Sequence, residues 1–109
     1  MRVLVADDSE TQRAQLTGLL RRAGHEVIAV GDGSQALTAL LDVNGPHLAL
    51  LDWEMPGLDG IDVCRRVREA PLGIRPHLVL LTARTEKQDA IDGLKAGADD
   101  FLSTPPAPA

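Results

Sequence analysis

Three carboxylates define the chemistry open to this chain. Asp52 closes an apolar run, Leu48 to Leu51, and a Met55-Pro56-Gly57 turn follows within three residues. That run is long enough for one buried strand and too short for a buried helix. Asp7 and Asp8 close a second apolar run, Val3 to Ala6. An acid at the carboxyl end of a buried strand sits where open α/β sheets place their ligand sites. Acids at two such ends form a candidate site for a divalent metal and a phosphoryl group. Crowded carboxylates repel one another, so at least one should have a raised pKa when no cation is bound. A hard, oxygen-rich site with open positions suits Mg²⁺, which keeps several waters and takes one or two carboxylates. The metal would orient an incoming phosphate while Asp52 attacks phosphorus. Thr82 ends a further apolar run, His77 to Leu81, and its hydroxyl is a donor suited to a phosphoryl oxygen.

Alternating strands and helices supply the scaffold. After the first strand, Ser9 and Gln12 stand in capping-box spacing ahead of a helix. Leu16, Leu19, Leu20 and Ala23 form its inward stripe, and Gly24 ends it. Glu26 to Val30 reads as the second strand, and Ser34 as the N-cap of a helix carrying Ala36, Leu37, Leu40 and Leu41 inward. The segment Asn44-Gly45-Pro46 stops that helix. A third helix, from about Gly60 to Glu69, buries Ile61, Cys64 and Val67. Pro71, Gly73 and Pro76 lead to the fourth strand. Thr85 and Gln88 repeat the capping spacing before a helix with Ile91 and Leu94 inside, closed by Gly97. A short fifth strand spans Asp100 to Ser103. The proline-rich end from Thr104 to Ala109 can continue neither strand nor helix. The pattern is α/β with a parallel sheet, helices on both faces and strands covered on both sides.

Bulk properties narrow the function classes. The 109 residues fit one domain, with 44% hydrophobic and 25% charged residues, as in ordinary globular proteins. A net charge of -5 argues against nucleic acid as a direct partner of this segment, and two aromatics offer no stacking platform for bases. One cysteine, Cys64, excludes an internal disulfide and fits a reducing cytoplasm; on the inner stripe of its helix it reads as core. No apolar run approaches a membrane span. His25, His47 and His77 lack the mutual spacing of a metal site and read as structural. Trp53 reads as a partly exposed loop residue.

Taken in order, four features resemble the receiver domain of two-component response regulators over essentially the whole chain. They are the Asp7-Asp8 pair, Asp52 with the Met55 to Gly60 segment, Thr82-Ala83, and the approach from Gly97 to Leu102. The resemblance implies a flavodoxin-like doubly wound sheet of five strands in the order 2-1-3-4-5. It implies phosphorylation of Asp52 by a histidine kinase or histidine phosphotransfer protein. Mg²⁺ would be bound by Asp8 directly, by Asp7 through water, by Asp52 and by the backbone carbonyl of Glu54. Thr82 would hydrogen-bond the phosphoryl group, Phe101 would change rotamer on activation, and Glu54 and Arg84 lie where the family tunes phosphorylation lifetime.

Two departures stand out. Where the family has a lysine before the proline after strand five, this chain has Thr104. One cation fewer near a phosphorylated aspartate is worth a few kcal/mol at an effective dielectric of ~20, before screening. Arg84 is the candidate to supply some of that charge. The chain also stops where a fifth helix would begin, so residues 1–109 are read as the N-terminal receiver part of a longer protein. A missing output domain, a partner protein or a homodimer would then cover the apolar surface left open. The main alternative is a receiver-like interaction module with weak or no phosphorylation. A phosphatase of the haloacid dehalogenase type is disfavoured, because its second Asp is replaced by Glu54.

Overall fold

The computed structural model describes residues 1–71, 75–82 and 87–103. Elements follow in the order β1 (Arg2–Ala6), α1 (Glu10–Arg22), β2 (Glu26–Val30), α2 (Gly33–Leu41), β3 (Leu48–Asp52), α3 (Gly60–Glu69), β4 (His77–Thr82), α4 (Lys87–Ala96) and β5 (Asp100–Ser103). All four strand pairings are parallel, and the sheet order is β2-β1-β3-β4-β5. The step from β1 to β2 runs one way and every later step runs the other. Right-handed crossovers therefore place α1 on one face and α2, α3 and α4 on the opposite face.

Strand register sorts the core. Leu4 stands level with Ala49, and Ala49 with Leu78; Ala6 is level with Leu51, Leu51 with Leu80, and Leu80 with Phe101. These rows meet Ala36 and Leu40 of α2, Ile61, Cys64 and Val67 of α3, and Ala96 at the end of α4. Leu4, Leu51, Leu78 and Leu80 are fully buried, each contributing about 1.5–3 kcal/mol of transfer free energy. Val3 and Val5 turn to the α1 face and are also fully buried. Cys64 is inert core, its thiol pushed up to about 12 chiefly by burial.

Local chemistry sets the helix ends. The Ser9 hydroxyl accepts from the Gln12 amide, and α1 closes with the amides of Gly24 and His25 bonded to the carbonyls of Arg21 and Leu20. For α2 the cap is Asp32, not Ser34: its carboxylate accepts from the Gln35 amide at 2.8 Å, and the helix begins at Gly33. Asp59 and Asp62 close a reciprocal capping box on α3. The expected cap at Thr85 lies outside the described residues.

Four apolar positions differ from the sequence pattern. Leu19, Leu41 and Leu94 are 59%, 40% and 50% exposed, and Ala23 is exposed as well. Helical spacing identifies a stripe but not its edges. Each helix here lies on one sheet face, so residues at the stripe margin clear the contact. In α1 the buried position is Thr17, with Leu16 and Leu20 half-buried.

At the far end of the sheet from the carboxylates, Asp99 ties α3 to the β4–β5 edge. It accepts from Arg68 at 2.6 Å, from the Leu78 amide at 2.9 Å and from Arg75 at 3.1 Å. Burial opposes its ionisation, yet the Leu78 amide and the two guanidinium groups bring its pKa below the usual value. Arg68 also donates to the carbonyls of Gly97 and Pro76.

Candidate functional site

Register explains how the three carboxylates meet. β1 and β3 are neighbours with Ala6 level with Leu51, so Asp7 and Asp52 emerge side by side at the carboxyl end of the sheet. Asp8 follows at the turn into α1. One oxygen from each of Asp7, Asp8 and Asp52 lies within 4.8 Å of the others. Asp7 is 1% exposed, Asp52 half-buried and Asp8 exposed, so the cluster grades from the core to water.

Hydrogen bonds fix the deepest member. The Asp7 amide donates to the Val30 carbonyl, Oδ1 accepts from the Ser9 amide at 2.8 Å, and Arg13 donates to the Asp7 carbonyl at 2.8 Å. Asp7 thus helps the start of α1 and still presents its other oxygen: Oδ2 is buried with no hydrogen-bond partner among the described residues. A buried carboxylate oxygen left without a donor is costly unless a cation or proton meets it. That orphaned oxygen beside two further carboxylates is the donor set a hard divalent cation takes.

The electrostatics agree. Burial, then the charge of Asp7, pushes the Asp52 carboxyl up to about 7, while the Glu54 amide opposes the rise. Burial raises Asp7 as well, against the Ser9 amide. The repulsion anticipated from the spacing is therefore present in the fold.

The loop after β3 closes one side. Trp53 donates its amide to the Leu81 carbonyl and receives the Gly60 amide at 2.8 Å, which carries the ladder one residue beyond Asp52. Gly60 permits this approach: a Cβ there would stand 2.6 Å from the Asp52 carbonyl oxygen and 2.7 Å from Leu80 Cδ2. Glu54 is exposed, and its amide lies 3.4 Å from Asp52 Oδ1. Thr82, 4% exposed, ends β4 one residue beyond Leu81, the partner of Asp52 in register. Phe101 is half-buried, level with Leu80. Arg84 and Thr104 lie outside the described residues.

Trp53 is 6% exposed and packs edge-to-face on Phe101, with ring centroids 5.9 Å apart, which corrects its reading as a partly exposed loop residue. The signal was available. Ala49, Leu51, Trp53 and Met55 are all buried, so the strand's alternation of two continues past its end and points the indole into the core. Among the described residues the histidines join no metal-type cluster, and no helix is long and apolar enough to cross a membrane.

The family model for the response regulator receiver domain matches residues 3–109. The chain belongs to this family. The receiver domain is 46% identical over 104 residues to the DNA-binding response regulator MtrA of Mycolicibacterium smegmatis, an alignment covering 95% of this chain and 44% of that protein. It thus spans less than half the length of that curated relative. The receiver domain of a Francisella response regulator superposes with a TM-score of 0.86 at 33% identity, covering 95% of this chain and 84% of that one. A sensor histidine kinase receiver domain from Pseudomonas aeruginosa, with a magnesium ion coordinated in its active-site cleft, superposes at 0.84 and 30% identity, covering 95% and 84%.

Proposed function

We propose that this receiver domain is a Mg²⁺-dependent phosphoacceptor, modified on Asp52 by a histidine kinase or histidine phosphotransfer protein. The observation that carries this reading is the orphaned Asp7 Oδ2 beside Asp8 and Asp52. In the proposed reaction an Asp52 carboxylate oxygen attacks phosphorus. A P–O bond forms as the P–N bond of the donor phosphohistidine breaks, and the imidazole leaves with the electron pair and takes a proton from solvent. Asp7, Asp8, Asp52 and the Glu54 carbonyl would hold Mg²⁺. When bound there, the ion would neutralise charge on the transferring group. Thr82 is assigned as hydrogen-bond donor to the phosphoryl oxygens, Phe101 as the residue that responds, and Glu54 and Arg84 as tuning positions. The domain acts on itself and turns over no external substrate. A cytoplasmic setting fits that donor, and a linked output domain or partner would receive the signal.

Thr104 in the family's lysine position favours a second reading, a receiver-like interaction module with weak or no phosphorylation. Fluorescence of Trp53, the single tryptophan, separates the two. The phosphoacceptor gives a saturable Mg²⁺ response and then a further change with beryllofluoride or acetyl phosphate, absent in Asp52→Asn. Silence to both additions favours the interaction module.

A further inference from the structure

Trp53 links the chain segment that carries Asp52 to the segment that carries Phe101. Its backbone is held on both sides, by the Leu81 carbonyl and the Gly60 amide, so the Trp53 peptide moves with the end of β3. Its ring is buried and meets Phe101 at an interplanar angle of 87°. The roof over this pair is Gly93 of α4: a Cβ there would stand 2.8 Å from Leu80 Cδ1, 3.5 Å from Phe101 Cδ2 and 3.8 Å from Trp53 Cζ3. The two rings therefore share one packed layer between the sheet and α4. Edge-to-face pairs have a defined geometry, so a displaced indole changes which phenyl orientation is favoured.

We propose that Trp53 is the positioning residue that couples the state of Asp52 to Phe101 and α4, through direct ring contact beneath Gly93. This deepens the phosphoacceptor reading and rests on it. A shift of the Asp52 backbone on modification carries the Trp53 peptide with it and displaces the indole edge, and the indole reorients Phe101.

The composition makes this directly measurable, because the chain holds one tryptophan, one phenylalanine and no tyrosine. Protein carrying 4-fluorophenylalanine gives a single ¹⁹F resonance, from Phe101. That resonance is followed while Mg²⁺ and then beryllofluoride are added, alongside Trp53 emission, in the parent protein and in Trp53→Leu and Trp53→Met. Phosphorylation of each by acetyl phosphate is read separately as a mass increase. In the parent, the two probes are expected to change with one common midpoint. In both variants the ligand-induced ¹⁹F displacement is lost while the mass increase is retained. A full displacement in a phosphorylated variant, or separate midpoints in the parent, would overturn the coupling and leave the phosphoacceptor reading standing. Should the variants fail to fold, separate midpoints in the parent would still overturn the coupling. Absence of any mass increase in the parent overturns both.

Discussion

Replacing Asp52 with Asn should stabilise the metal-free protein, and by more as pH rises. The native carboxyl keeps its proton up to about 7, against 3.8 for the ordinary group. Between those values the native state binds more proton than the unfolded chain, so wild-type stability falls as pH rises, and the full deficit is present above pH 7. A rise of this size corresponds to about 4 kcal/mol. Solvent reaches half-buried Asp52, and screening trims the expectation to about 2–3 kcal/mol. Asn cannot ionise, and the contact it puts at risk, from the Glu54 amide, is already long at 3.4 Å. Urea unfolding followed by circular dichroism, in chelator, should therefore show the two proteins nearly equal near pH 4. The variant should lead by about 2–3 kcal/mol at pH 8. Titrating groups outside the carboxylate cluster cancel in this difference to first order, and relief of Asp7 in the variant acts in the same direction. Mg²⁺ at ten times its dissociation constant should restore about 1.4 kcal/mol to the wild type and far less to the variant. A variant that is less stable at pH 8, or a difference that does not vary with pH, would refute crowding of the three carboxylates.

Three further outcomes test the scaffold. Asp99→Ala strips a shared acceptor from Arg68, Arg75 and the Leu78 amide and should cost about 2–4 kcal/mol in denaturant unfolding, because partly buried donors lose their partner. The Asp99 pKa is lowered, so this loss should be full at neutral pH and shrink as pH falls through the folded value. Gly97→Ala places a Cβ against Arg68 Cγ at a residue with φ of 116° and should cost about 1–3 kcal/mol, again by unfolding. Leu19→Gln, at a position 59% exposed in the isolated domain, should change stability by no more than about 0.5 kcal/mol; a loss above that would show the leucine to be packed.

The frame of the molecule was readable because burial leaves a strong periodic trace. Val3 to Ala6, Leu48 to Leu51 and Leu78 to Leu81 are apolar on both faces, as strands covered on both sides must be. The acids that end the first two mark the carboxyl end of the sheet. What stayed hidden depends on neighbours distant in sequence. Exposure of Leu19, Leu41 and Leu94 is set by how far each helix contact extends across the sheet. The Asp32 cap beat Ser34 by reaching the Gln35 amide from two residues earlier. The bonds to Asp99 join residues 21 to 31 positions apart, with no local signature. The burial of Trp53 was legible in principle, as the continued alternation of β3.

The central claim, that Asp52 accepts a phosphoryl group with help from Mg²⁺, is tested most directly by intact-mass analysis after incubation with acetyl phosphate. The account predicts a gain of one phosphoryl mass with Mg²⁺ present, lost with chelator, lost in Asp52→Asn and mapped to Asp52 by peptide analysis. No gain in the wild type, or the same gain in Asp52→Asn, would contradict it.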